Sequence, residues 1–146
     1  MKALFIDTAG WMACADAADP ACLPTRTARD RALERGQLLV TTDYVIDETL
    51  TLVCLRLGLT AAEAWWAQVE ASSRLRVEWV GPARADSARH LFFRHRDKDF
   101  SFTDCTSFIV MQELKLREAL TTDGHFEQAG FDATPGPEKK RRARRR

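Results

Sequence analysis

The sequence predicts a three-layer α/β fold, a central and mostly parallel sheet with helices on both faces. Three observations carry this. The chain opens on "ALFI", Ala3 to Ile6, a continuous apolar run that reads as a buried strand. Further short strand-like runs, "QLLVT", "LRVEWV" and "EALTT", alternate with longer segments of helical period. A length of 146 residues, 45% of them hydrophobic, fits one compact domain that buries roughly two-thirds or more of its unfolded surface.

Residues 2 to 7 form the first strand, which ends on Asp7. Residues 25 to 35, "TRTARDRALER", repeat Ala28, Ala32 and Leu33 at helical spacing, and Gly36 supplies the stop. "QLLVT" is the second strand. In "DYVIDETLTLVCLRLG", Val45, Leu52 and Leu59, or Ile46, Leu50 and Val53, trace the apolar face of a helix that Gly58 closes. Thr60 followed by Glu63 predicts a capping box at the start of the next helix. After the strand "LRVEWV", Gly81-Pro82 opens a helix that runs to about His95. "TDCTSFIVMQELKL" is helical, "EALTT" a strand, "DGHFEQAG" a short helical turn, and a last strand lies near Phe131.

Cys14, Cys22, Cys54 and Cys105 contain no CxxC pair and sit in apolar or helical context, so all four are expected to be reduced core residues of a cytoplasmic protein. Only four apolar residues separate Lys2 from Asp7, too few for a signal peptide, and no later run approaches the ~18 apolar residues of a membrane span. The net charge of +1 hides an asymmetry. The terminal "EKKRRARRR" holds seven of the 22 basic residues and one of the 21 acids, which leaves residues 1 to 137 with 15 basic and 20 acidic groups. An acidic body therefore carries a cationic arm.

Ligands of open α/β sheets bind outside the carboxyl ends of the strands. Asp7 and Asp123 stand at two such ends, and Asp104 begins the helix preceding the second. Glu48 lies three and four residues from Val45 and Leu52, on or beside the buried stripe of its helix, where a carboxylate is rare unless partnered. Each acid has an ordinary reading: helix caps for Asp104 and Asp123, a turn for Asp7, an ion pair with Arg56 for Glu48. Asp43 and Asp47 read as a solvated face. Those readings leave the convergence of four acids unexplained. Clustered carboxylates repel, and a divalent cation relieves the repulsion. Magnesium takes oxygen ligands together with substrate phosphate, so the substrate implied is a phosphodiester.

The segments "ALFIDTAGWMA", "LLVTTDYVIDETLTLV", "DKDFSFTDCTSFIVM" and "EALTTDGHFEQAGF" follow one another in the order seen in PIN-domain proteins, and residues 2 to 133 closely resemble the VapC-type toxin ribonucleases. The resemblance implies a PIN-like nuclease domain over residues 1 to 137 that cleaves RNA through a metal-activated water attacking in line, leaving 5′-phosphate and 3′-hydroxyl ends. It implies that Asp7, Glu48, Asp104 and Asp123 bind Mg2+ or Mn2+. Thr8 and Thr103 are then supporting hydrogen-bond residues, and Asp99 and Ser101 form a second layer behind the ligands. Expected partners are RNA, a tRNA or an mRNA, together with a cognate antitoxin and a second copy in a homodimer. Trp11, Trp65 and Trp66 are candidates for the antitoxin-facing surface, or else core.

The resemblance is silent on residues 138 to 146, a basic tail expected to be disordered, whose Lys139, Lys140, Arg141, Arg142, Arg144, Arg145 and Arg146 are candidates to hold RNA. Three alternatives remain. A phosphatase with an aspartate nucleophile needs a second Asp two positions after the first, where this chain has Ala9. A metal-free ribonuclease would draw on His90, His95 and His125. A catalytically silent PIN scaffold would bind RNA or protein without cutting.

Overall fold

Winding direction decides where this fold opens a ligand crevice. The structure, a computed structural model, describes residues 2–145. Five strands, β1 (Ala3–Ile6), β2 (Leu38–Thr42), β3 (Leu75–Glu78), β4 (Glu118–Thr121) and β5 (Asp132–Pro135), form one sheet in the order β3-β2-β1-β4-β5. Every pairing is parallel. The chain winds outward from β1 through β2 to β3, then returns to the other side of β1 for β4 and β5. The order reverses between β1 and β4, and crevices form at the carboxyl ends of strands on either side of such a reversal.

Alternation along β1 shows why both faces are covered. Ala3 and Phe5 point into a core with Phe108 and Met111 of α6 (Phe102–Glu113) and Ala88 of α5 (Gly81–Arg94). Leu4 and Ile6 point the other way, against Cys14 of α1 (Thr8–Ala15) and Ala32 of α2 (Cys22–Glu34). A third cluster joins Met12 of α1 to Val53 of α3 (Asp43–Leu57) and Ala62 of α4 (Leu59–Ala71). No helix among the described residues is long and apolar enough to cross a membrane.

Several boundaries differ from the sequence expectation, each for a local reason. Helix α1 has no polar stripe for a periodicity reading to find, because "TAGWMACA" is covered by α2, α3 and β4. Thr60 does not cap α4; the helix starts one residue earlier from Gly58, whose φ of 97° favours glycine, and no side chain closes it. Strand β3 stops at Glu78, leaving Trp79 73% exposed. Cys54 is exposed on α3 instead of buried, while Cys14, Cys22 and Cys105 are buried, and all four are free thiols. In place of a disordered arm, Glu138–Arg145 form α8, following the short α7 (His125–Gln128) and β5. Composition is silent on the contacts that hold it: Lys140 Nζ donates to the Ala133 carbonyl (2.9 Å) and Glu127 Oε1 (3.1 Å), and Arg141 donates to the Gly136 carbonyl (2.7 Å). Arg146 lies outside the described residues.

Gly10 fixes how closely α1 approaches the sheet. A Cβ at this position would stand 2.1 Å from the Leu120 carbonyl oxygen of β4, a backbone atom that cannot swing aside. Gly10→Ala is therefore expected to destabilise the fold by about 1–3 kcal/mol. At about 4 °C per kcal/mol for a chain of this length, the melting temperature should drop clearly, and an unchanged one would show that α1 is free to shift.

Candidate active site

Asp7 follows the last residue of β1 and caps α1: its Oδ1 accepts from the Gly10 amide at 2.9 Å. Its Oδ2 accepts from the Thr121 hydroxyl at 2.9 Å, a bond between the carboxyl ends of β1 and β4. Thr121 Oγ1 in turn accepts from the Asp123 amide at 3.0 Å. One threonine hydroxyl thus sets the positions of two of the acids. Sequence reasoning passed over Thr121; its signal was the polar residue at the end of an otherwise apolar strand, the feature that marked Asp7.

Asp104 is the third residue of α6 in a reciprocal capping box with Ser101. Its amide donates to Ser101 Oγ (2.9 Å) while its Oδ2 accepts from the Ser101 amide (3.0 Å). Ser101, not Asp104, is the cap, which frees the aspartate to face the crevice. Asp123 Oδ1 accepts from the His125 amide at 2.7 Å. His125 Nδ1 lies 2.9 Å from Asp104 Oδ2 and 3.2 Å from Asp123 Oδ2, and its ring packs edge-on against Phe100. Asp104, Asp123 and His125 each offer one ligand atom within 4.8 Å of the others, a spacing a metal ion can bridge.

All four predicted acids line one cleft: Asp7, Glu48, Asp104 and Asp123, with Thr8 and Ser101 beside them. Glu48 projects there half-buried from α3, and no hydrogen bond joins it to Arg56, which lines the same cleft one helix turn beyond Leu52. Asp99 and Thr103 are not part of the lining; Asp99 is exposed, and the Thr103 carbonyl accepts from the Thr106 hydroxyl inside α6. The Thr8 hydroxyl is buried at the cleft without a hydrogen-bond partner. Asp19 and Arg56 join the lining without having been picked from sequence as site residues, and His125, considered from sequence only for a metal-free mechanism, lines it too. Of the three tryptophans considered, Trp65 is core, packed edge-on against Trp11 at 5.4 Å, and Trp66 is 37% exposed.

Electrostatics separate the acids. Asp7 is only 4% exposed, and burial pushes its carboxyl up to about 8 against the opposing bonds from Gly10 and Thr121, with Asp104 and Asp123 adding repulsion. Burial likewise holds Asp104 above the usual carboxylate range; the Ser101 amide opposes this, Asp123 adds to it, and the His125 contact opposes it again. The buried Asp7, the orphaned Thr8 hydroxyl and the close Asp104, Asp123 and His125 donors fit a hard divalent ion.

An all-parallel sheet with an acid cleft at its switch point is the architecture of a PIN-domain nuclease. The chain belongs to that family: the PIN domain model matches residues 4–132. It is a homologue of the 23S rRNA-specific endonuclease VapC20 of Mycobacterium tuberculosis, 34% identical over 128 residues, spanning 88% of this chain and 95% of the relative in both the CDC 1551 and H37Rv strains. The crystal structure of Mycobacterium tuberculosis VapC20, described as a sarcin-ricin loop cleaving toxin, superimposes with a TM-score of 0.78 at 32% identity, covering 88% of this chain and 96% of that one.

The raised Asp7 has a consequence for stability. Between about pH 4 and pH 8 the native state holds a proton that the unfolded chain has released, so metal-free stability falls as pH rises through that window. Asp7→Asn keeps the acceptor for Gly10 and removes the ionisation. In chelator, the variant is expected to melt progressively higher than the unsubstituted protein from pH 5 to pH 8. A difference that does not change with pH would show that Asp7 is not the group responsible.

Proposed function

We propose that this chain is a divalent-metal-dependent endoribonuclease, the toxin of a toxin–antitoxin pair. The observation that carries the proposal is the convergence of Asp7, Glu48, Asp104 and Asp123, from four separate elements, on one cleft at the switch point of the sheet. The four acids are its ligands, with Mg2+ or Mn2+ as the ion. When bound, the ion supplies charge neutralisation for the phosphodiester and lowers the pKa of a coordinated water, the nucleophile for in-line displacement.

The chain's own groups do the positioning. Gly10 and Thr121 hold both oxygens of Asp7 in fixed directions, and the capping box with Ser101 does the same for Asp104. His125 Nδ1 sits between Asp104 and Asp123, within hydrogen-bonding reach of both carboxylates. The Thr8 hydroxyl, without a protein partner, is available to a ligand in the cleft. Arg56 brings a cation to the cleft wall, suited to a non-bridging phosphate oxygen. Asp99, in the loop before α6, and Thr103, in the first turn of α6, do not line the cleft.

The relatives act on 23S rRNA, which makes a ribosomal RNA loop, ahead of a tRNA or an mRNA, the first substrate to test. An antitoxin and a second copy of the chain are the proposed protein partners, in the cytoplasm. Leu55 and Leu59, 76% and 65% exposed around the turn between α3 and α4, offer apolar surface to one of them. Of the three histidines only His125 lines the cleft, which leaves a metal-free mechanism without its pair. A silent scaffold would have no use for four retained acids.

Asp104→Asn keeps the acceptor of the capping box and deletes a ligand charge. Turnover on ribosomal RNA should fall more than about tenfold while the melting temperature changes by no more than a few degrees. Retention of more than about a tenth of the activity would remove Asp104 from the ligand set. Mg2+ or Mn2+ should also raise the melting temperature of the unsubstituted protein, since an ion that binds only the folded state stabilises it by mass action. Cleavage persisting in excess chelator, and blocked by a 2′-deoxy substitution at the cut site, would instead point to a histidine mechanism.

A further inference from the structure

A second concave surface shares no lining residue with the acid cleft. It lies between α2, β5 and α8, with a volume of about 620 Å³ against about 390 Å³ for the cleft. Five arginines reach it from two directions. Arg31 and Arg35 stand four residues apart at the end of α2, so they share one side of that helix. Arg141, Arg144 and Arg145 occupy positions i, i+3 and i+4 of α8 and share the facing side. Between them lie Leu23, 75% exposed, with Pro24, Ala28 and Pro135, and a single acid, Glu118.

Four of these five arginines are not consumed by the fold. Arg31, Arg35, Arg144 and Arg145 are exposed, and none forms an ion pair or side-chain hydrogen bond among the described residues. The work of docking α8 falls to Lys140, through Glu127 and the Ala133 carbonyl, and to Arg141, through the Gly136 carbonyl, while Arg142 pairs with Glu138 at one turn's distance. Holding five guanidiniums around one groove is electrostatically unfavourable unless an anion enters it. Planar guanidiniums facing each other across an apolar floor match phosphates on the walls and sugar or base faces between them.

The groove also leads somewhere. Arg141 and Arg145 line a second, smaller hollow together with Arg142, Glu138 and Pro20. Pro20 follows Asp19, which lines the acid cleft. The smaller hollow therefore brings α8 beside the loop between α1 and α2, one residue from the lining of the acid cleft.

We propose that the α2–α8 groove is a phosphate-backbone site for the part of the substrate RNA that lies outside the cleft. It rests on the ribonuclease reading but uses none of the acid cleft's residues. The body is acidic on balance, with 15 basic against 20 acidic groups in residues 1 to 137, so an extended substrate needs a second hold, and the groove supplies it with residues from both the tail and the globular body. Lys140 is thereby an anchor of α8 and not an RNA contact.

The test is equilibrium binding of a structured ribosomal RNA fragment to the full chain, in chelator, as a function of salt. The unsubstituted protein is compared with Arg31→Glu/Arg35→Glu and with Arg144→Glu/Arg145→Glu. Each phosphate contact contributes a slope of roughly −0.7 to −0.9 in log affinity against log salt. Loss of two should flatten the slope by about 1.5 and weaken binding at least about tenfold at low salt. Cleavage of a short oligonucleotide that occupies the cleft alone should stay within about twofold. The combined quadruple variant should lose less than the sum of the two pairs, because both grip the same strand. Arg31→Gln/Arg35→Gln, which does not introduce charge at the helix end, should give the same direction and guards against misfolding of the reversal. An unchanged salt slope in both α2 variants overturns the proposal, and a loss of antitoxin affinity in those variants would then assign the groove to a protein. RNA binding that depends on the groove, in a chain that never cuts RNA with any divalent ion, would sink the ribonuclease reading and leave the groove standing.

Discussion

A carboxyl group buried at the end of the central strand is the constraint around which the rest of the molecule is arranged. Asp7 lies where apolar β1 gives way to α1, with only 4% of its surface exposed, and water cannot compensate its charge there. The fold meets that cost with directed bonds from Gly10 and Thr121 and leaves the remainder uncompensated, which is why the proton is held so tightly. The close approach of α1 to β4 at Gly10 and the polar end of β4 are both needed to keep the carboxyl in place.

The same logic orders the other acids by burial. Asp104 is partly sheltered and Asp123 more open, and His125 inserts its ring nitrogen between them. Burial holds both Asp7 and Asp104 above the usual carboxylate range, so adjacent carboxyls in the cleft resist becoming negative together. A histidine side chain and several backbone amides occupy carboxylate oxygens of the cleft.

Much of this was legible in the chain. The continuous apolar run of β1, the alternation of strands and helices, an acid at each of two strand ends, Glu48 beside the buried stripe of its helix and Asp104 at a helix start follow from patterning, and the motif resemblance supplied their common role as expected metal ligands. Features that depend on contact between distant segments were not legible. Thr121 matters because it faces Asp7, more than a hundred positions away. Helix α1 has no polar face because other elements enclose it, so its period is silent. Thr60 looks like a cap in isolation but Gly58 begins the helix first. The terminal basic run appears unable to pack when only hydrophobicity is counted. Its anchoring depends on two carbonyl oxygens and one glutamate that composition does not register.

The strand order carries a final consequence for synthesis. β4 inserts next to β1 although the chain between them builds two strands and six helices first. A growing chain that has not yet produced Thr121 can form the β1–β2–β3 half of the sheet, but Asp7 then lacks its hydroxyl partner and Asp123 does not exist. Pairings of such sequence separation are slow to close and come late in folding. Partial translation products that end before Thr121 therefore cannot assemble the cleft.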